Sequence, residues 1–273
     1  MAEPDTVPSG IDVSVPNVAR IYDYLLGGKD NFAADREAAG LALRAVPQMR
    51  SLALENRRFL IRATRFCAQA GVRQFIDIGA GLPTQDNVHQ VAQRADPSAS
   101  VVYADNDAVV VSHGRALLAE DRQTAVINGD LLRPEELLDN PELRALIDLD
   151  QPVVLLLVAL LHFIPVESGP DACLARLRDA VAPGSYLIIS HSEVAPEHAV
   201  GTTPLSEETR LLGQAYNRPM GPVRSRAEIA EFFGDWEVLE PGVTEVWNWR
   251  PEGESFVSPS QIMSMVGAVG RKP

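Results

Sequence analysis

After a polar arm over residues 1–15, expected to be disordered or loosely packed, hydrophobic positions recur at a helical period over residues 17–70 and then switch to short apolar runs alternating with helical segments. Val18, Ile21, Tyr22, Leu25 and Leu26 share one face of a helix expected over Asn17–Leu26, and Gly27-Gly28 ends it. A second helix is expected from about Phe32 to Val46, stopped by Pro47. A third runs from about Gln48 to Ala70, with Leu52, Phe59, Leu60, Ala63, Phe66 and Cys67 on one stripe and Gly71 at its C-terminal cap. Beyond Gly71 the runs Gln74–Gly79, Ser100–Asp105, Ala125–Asn128, Val153–Leu160 and Ser185–Ser190 read as strands. Gln85–Arg94, Ala108–Ala119, Glu135–Leu146 and Asp171–Val181 read as the helices between them. Val153–Leu160 is apolar throughout, as a strand buried on both faces should be. This alternation specifies an α/β fold with a doubly wound, Rossmann-like parallel sheet.

After the fifth strand the pattern weakens. Ser206–Asn217 reads as a helix, and Ser225-Arg226-Ala227-Glu228 is a capping box opening another that ends at Gly234. Trp236–Leu239 and Thr244–Trp249 are strand-like and suit a terminal antiparallel hairpin; Ile262–Val269 is a last apolar segment. The expected organisation is an N-terminal arm and helical cap over 1–70, then a ligand-binding domain over 71–273 with a substrate-side insertion around 193–224.

Composition narrows the function classes. The net charge of −13, from 24 basic and 37 acidic residues, argues against duplex nucleic acid, whose affinity comes largely from phosphate neutralisation. Cys67 and Cys173 lie far apart and read as buried or incidental thiols. No H-x-x-H, C-x-x-C or carboxylate cluster suggests a metal. Residues 1–15 are polar, with Pro4 and Pro8, and the longest apolar run, Pro152–Pro165, is too short to span a bilayer. A soluble, cytoplasmic protein without a membrane partner is expected.

The candidate chemistry clusters at strand ends. Phe75-Ile76-Asp77-Ile78-Gly79-Ala80-Gly81 is a buried strand ending in an acid and a glycine turn. Such turns form the ligand crevice of doubly wound sheets. The third glycine of a dinucleotide fingerprint is missing. Asp77 would also repel a phosphate but suits a cationic, hydroxyl-bearing ligand, which points to S-adenosylmethionine. Asp105, with Asn106 after it, ends the second strand and can accept from ribose hydroxyls. Asp107 is the weaker candidate, solvent-facing or a helix N-cap. Gly129-Asp130-Leu131 follows the third strand and can reach an adenine edge. His162 follows the fourth strand and His191 ends the fifth. Each is a packing histidine beside the ligand or a general base. His89, His113 and His198 read as surface residues.

At these residues the chain resembles the class I S-adenosylmethionine-dependent methyltransferases. More closely, it resembles an actinobacterial S-adenosyl methyltransferase family long catalogued as a domain of unknown function. That closer likeness rests on Asn17-Val18-Ala19-Arg20-Ile21-Tyr22-Asp23-Tyr24-Leu25-Leu26-Gly27-Gly28-Lys29-Asp30-Asn31-Phe32, on Asn56 to Leu60, on Gln74 to Thr84, on Val102 to Asp107, on Ala159 to Pro165 and on Pro183 to Leu187. The resemblance implies a seven-stranded sheet and S-adenosylmethionine as cofactor. It implies cofactor contacts at Asp77, Gly79, Ala80, Gly81, Asp105, Asn106, Asp130, Leu131 and Ala159, with His162 beside the methionine end, and it names no acceptor. An Asn-Pro-Pro-Tyr motif, used in methylating DNA bases and peptide amides, is replaced by Leu160-Leu161-His162-Phe163. The helix bearing Arg20 and Tyr22 is expected either to close over the cofactor, Arg20 meeting its carboxylate and Tyr22 or Tyr24 its sulfonium side, or simply to pack. The function expected is methyl transfer to a small-molecule acceptor. The alternatives are a cofactor-binding regulatory module without turnover and an NAD-dependent oxidoreductase.

Overall fold

The computed structural model describes residues 12–83, 86–118, 121–194, 207–216, 224–255, 257 and 263–273. Five strands, β1 (Gln74–Ile78), β2 (Ser100–Asp105), β3 (Thr124–Asn128), β4 (Val154–Val158) and β5 (Tyr186–Val194), run parallel in the order β3-β2-β1-β4-β5. The order reverses between β1 and β4, so their carboxyl ends flank the crevice where such sheets bind ligands.

The sheet has eight strands, not seven. β8 (Met263–Arg271), which the sequence marks only as a last apolar segment, pairs antiparallel with β5 from Tyr186↔Arg271 to Val194↔Met263. The expected hairpin does not form. β6 (Glu237–Val238) and β7 (Thr244–Glu245) each pair with β8 instead. Glycines disguise β8 as a strand, and they are there for packing: a Cβ on Gly267 would lie 2.8 Å from Phe59 Cζ.

Alternate residues of the strands feed two cores. Phe75, Val154, Leu156 and Ile188 face one, while Ile76, Leu155, Leu157 and Ile189 face the other. The first core also holds α1 (Val18–Leu26), α2 (Ala33–Ala45) and α3 (Met49–Gln69) through Ile21, Ala39, Leu52, Phe59 and Ala63. The expected N-terminal helices thus share the sheet's core. Arg62 of α3 ties them to the C-terminal segment, donating to Trp249 O at 3.1 Å and Val246 O at 2.5 Å.

The opposite face carries α6 (Pro134–Leu138), α7 (Pro141–Leu146), α8 (Pro170–Ala180) and α10 (Arg226–Glu231); α5 (Ala108–Leu117) joins the first core through Val111, α4 (Val88–Ala95) packs on α3, and α9 (Glu207–Ala215) on α2. α6 and α7 replace one expected helix because Asn140 caps a new start at Pro141, accepting from Glu142 and Leu143 N–H. The capping box at Ser225 and Glu228 forms as read. His89 is buried rather than exposed, its Nδ1 2.9 Å from the Tyr103 hydroxyl. His198 lies outside the described residues. Among the described residues no helix is long and apolar enough to cross a membrane.

Candidate functional site

β1 delivers Asp77 to the crevice, and the chain then turns through Gly79 (φ 71°) and Gly81 (φ 65°), both in the left-handed region that favours glycine. The turn is packed from beneath: a Cβ on Gly79 would lie 2.6 Å from Leu160 Cδ1. It is held from β2, where Gly79 N–H donates to Ala104 O at 2.8 Å and Gly81 N–H to Asp105 Oδ2 at 2.9 Å. Asp105 Oδ1 accepts from Asp107 N–H at 2.9 Å. Asp105 therefore fixes the turn and keeps lone pairs free for hydroxyl donors. Burial raises its pKa against the opposing Asp107 and Gly81 N–H groups. Asp77 is pushed up to about 7, chiefly by burial, with Arg57 opposing and Asp105 adding to the shift. Asp130 Oδ1 accepts from Leu132 N–H at 2.9 Å and its Oδ2 from Asn106 Nδ2 at 3.4 Å, so β2 and β3 end in one polar rim beside buried Leu131.

One cavity of about 650 Å³ runs along this edge. Its wall brings together Asp77, Gly79, Ala80, Gly81, Asp105, Asn106, Asp130, Leu131 and Ala159, with Tyr22 and His162. Arg20 and His191 are not on it. The Arg20 guanidinium is spent inside the arm: Nε donates to Asp35 at 2.9 Å, Nη2 to Val15 O at 2.6 Å, and the group lies over the Phe32 ring. Tyr22 shows the cavity its ring. Its hydroxyl donates to Ala53 O at 3.1 Å and accepts from Asn56 Nδ2 at 2.9 Å.

The roof is α1. Asn17 caps it, accepting from Ala19 and Arg20 N–H, and the same side chain donates to Asp107 at the end of β2. The arm is thereby tied to the strand that holds the glycine turn. Asp107, which also caps α5 through Val109 N–H, serves as that tie. The other part of the wall is apolar: Leu25, Met49, Leu52, Leu60, Phe163, Tyr216, Met263 and Met265.

A turn opened by two left-handed glycines, acids at the ends of three neighbouring strands and a diol-accepting carboxylate fit a sulfonium nucleoside better than a dinucleotide. Family comparison agrees. A model of the S-adenosyl methyltransferase family matches residues 4–273. The chain belongs to that family. S-adenosylmethionine is its cofactor, supplying a methyl group on a sulfonium that is already an activated leaving group.

Among solved structures, the methyltransferase is similar to a candidate methyltransferase from Thermobifida fusca YX, at 41% identity over 98% of this chain and 99% of that one, TM-score 0.86. It is also similar to a DUF574-family protein from Streptomyces avermitilis, at 38% identity over 96% and 99%, TM-score 0.85. An O-methyltransferase family protein from Burkholderia thailandensis shares the fold at 13% identity, TM-score 0.52, over 90% of this chain and 73% of that one. No curated protein matches the chain.

Ala159 was named in the sequence only through the family resemblance, and what holds it was not legible there. Ala159 has φ 56°, a left-handed conformation rare outside glycine and common at functional loops. It is held by Ser190, whose hydroxyl accepts from Ala159 N–H at 2.9 Å and donates to Asn56 Oδ1 at 2.6 Å. With the Asn56–Tyr22 bond this makes an unbroken hydrogen-bonded chain from the loop after β4 to the roof. Nothing in the local sequence marks Asn56 or Ser190, because the chain closes only when α1, α3 and β5 pack. Asn17 did carry a signal, a capping residue before the first apolar period.

Proposed function

We propose that the methyltransferase modifies a small, largely apolar acceptor held against the methionine- and aromatic-lined part of the cavity. The supporting observation is the wall itself. Acids and glycines gather after β1, β2 and β3, whereas Met49, Leu52, Phe163, Tyr216, Met263 and Met265 line the same enclosed space. Methionine side chains adapt to flat or irregular apolar ligands. The volume lies within the usual small-molecule range of about 300–1,000 Å³, leaving the acceptor a small molecule's share.

In this reading Asp105 receives the ribose hydroxyls. Asp77 faces the cationic end, and Asn106, Asp130 and Leu131 border the base. Gly79, Ala80 and Gly81 let the backbone approach, and Ala159 turns the loop beside the methionine end. Tyr22 packs above. Arg20 acts at one remove, bracing the arm through Asp35. What the residues contribute is positioning and exclusion of water.

The test is methyl transfer from tritium-labelled S-adenosylmethionine into a cell extract, fractionated by size and polarity. Label in small, apolar, extractable products supports the proposal. Label confined to protein or nucleic acid contradicts it, and tight cofactor binding with no label in any fraction favours a regulatory module without turnover.

A further inference from the structure

Across the switch point from the acids, the β4–β5 side of the crevice holds His162, His191 and Arg224, all buried. One residue, Ser192, sets both rings through its own N–H and C=O. Ser192 N–H donates to His162 Nδ1 at 3.3 Å, and Ser192 O lies 2.6 Å from His191 Nδ1. An N–H can meet only a lone pair, so His162 carries its proton on Nε2. A carbonyl oxygen can meet only a proton, so His191 carries its own on Nδ1. Its Nε2 is then free to accept from Arg224 Nη1 at 3.2 Å. Both rings are neutral. Burial disfavours both protonated forms; His191 and then Arg224 add to it at His162, and at His191 Arg224 adds to it against the opposing bond to Ser192. Neither ring therefore fills the general-base role open to it on sequence grounds: the outward nitrogen of His162 already holds a proton, and His191 is off the cavity wall.

The His162 ring is 8% exposed and lines the cavity, and its Nε2 has no protein partner among the described residues. Behind it Arg224, 6% exposed, donates to Leu161 O at 3.1 Å and lies over the Phe232 ring. Its Nη2 is buried without a partner, and no carboxylate pairs with it among the described residues. Asp171 and Glu228 act on Arg224 through space without a hydrogen bond to it, and Glu228 is held in the cap by Ser225. Glu193 is held by Arg226 at 2.9 Å, and Asp23, in the roof, accepts from Asp30 N–H and Asn31 Nδ2. A buried guanidinium with an unpartnered nitrogen, bonded to no carboxylate among the described residues, behind a neutral donor makes this end of the cavity attractive to negative charge.

Resting on the methyl-transfer reading, we infer that the acceptor is an aromatic oxyanion, a carboxylate or ionised phenol. Its charged oxygen accepts from His162 Nε2–H, and its ring lies against Phe163, Tyr216 and the methionines. An acceptor that enters ionised has left its proton in solvent, so the site needs no base. His162 touches the acceptor; Arg224 acts through His191 and the local field as a positioning residue.

The test is calorimetric binding of 2-naphthoate and its neutral near-isostere 2-naphthamide to the full chain saturated with S-adenosylhomocysteine. The expected result is naphthoate tighter by about tenfold or more, the worth of one hydrogen bond to a charged group. The preference should be lost in His162→Phe, kept in His162→Gln, whose amide still donates, and narrowed in Arg224→Gln. Nitrogen-15 spectra should show His162 protonated at Nε2 and not titrating near pH 6.5. Equal binding of the two probes, an unchanged preference in His162→Phe, or a His162 imidazolium at neutral pH would overturn the inference and leave the cofactor reading intact. Failure of S-adenosylhomocysteine to bind would sink the cofactor reading instead. The two probes on the unloaded chain would then still decide the anion site, equal binding overturning it.

Discussion

Asp77 titrates near 7 in the folded chain because burial penalises its charged form, and its proton inventory sets a pH dependence. An unfolded aspartate ionises near 3.9. Between about pH 4 and 7 the native state therefore holds a proton that the unfolded state has lost. Stability contributed by Asp77 is fully present below that window, falls as pH rises through it and is flat above, a change of a few kcal/mol at most. Denaturant titrations from pH 4.5 to 8 should show that fall, and Asp77→Asn should flatten it. A cationic ligand beside Asp77 draws the carboxyl back to its charged form. S-adenosylmethionine, which carries a sulfonium as well as an ammonium, should consequently bind more tightly at pH 8 than at pH 6, with proton release visible as a buffer-dependent binding heat, and Asp77→Asn should remove both effects. Gly79 makes a steric counterpart. Alanine there must adopt φ 71° and place a Cβ 2.6 Å from Leu160 Cδ1. Gly79→Ala should lower the Tm by about 5 °C or more and weaken cofactor binding. Adding Leu160→Ala should recover part of the cofactor affinity, a coupling that a double-mutant cycle measures.

At the level of elements, the roof and the glycine turn are one assembly. Asn17 caps α1 and reaches Asp107, while Asp105, two residues earlier, holds Gly81. Asn17→Ala should cost about 0.5–2 kcal/mol through the lost cap. Because it also frees the arm from β2, it should speed S-adenosylhomocysteine release in stopped-flow measurements more than it slows association. An unchanged off-rate would separate the arm from cofactor retention. β1 to β5 could be read from the sequence because each is a short apolar run bounded by turn signals, and their alternation with helices marks them as parallel. β8 could not, since Gly267 and Gly270 dilute its apolar run and its pairing with β5 is non-local. The choice left open for Arg20, meeting the cofactor or packing, could not be made from the sequence for a related reason: its partner Asp35 stands on the next helix and meets it only in the folded chain.

For the whole molecule, the acids gather at one side of the switch point, with Asp77, Asp105 and Asp130 at the carboxyl ends of β1, β2 and β3 and Arg57 beside Asp77, while Arg224 and its two histidines stand at β4 and β5. The acids could be read from the sequence because each stands at a strand end next to glycine or a turn. The histidines could be found but not assigned, since their tautomers depend on Ser192 and Arg224, residues joined only in the folded chain. What most directly tests the account is whether this edge binds S-adenosylmethionine through Asp105, which both holds the glycine turn and keeps acceptor capacity for the ribose. The measurement is calorimetry of S-adenosylmethionine, S-adenosylhomocysteine and NADH on the full chain and on Asp105→Ala. The account predicts saturable binding of the first two and none of NADH. It also predicts about a hundredfold loss or more in Asp105→Ala, since hydrogen bonds to a charged group are worth about 1.5–3 kcal/mol each. No binding of either adenosyl ligand, or equal affinity in Asp105→Ala, would contradict it.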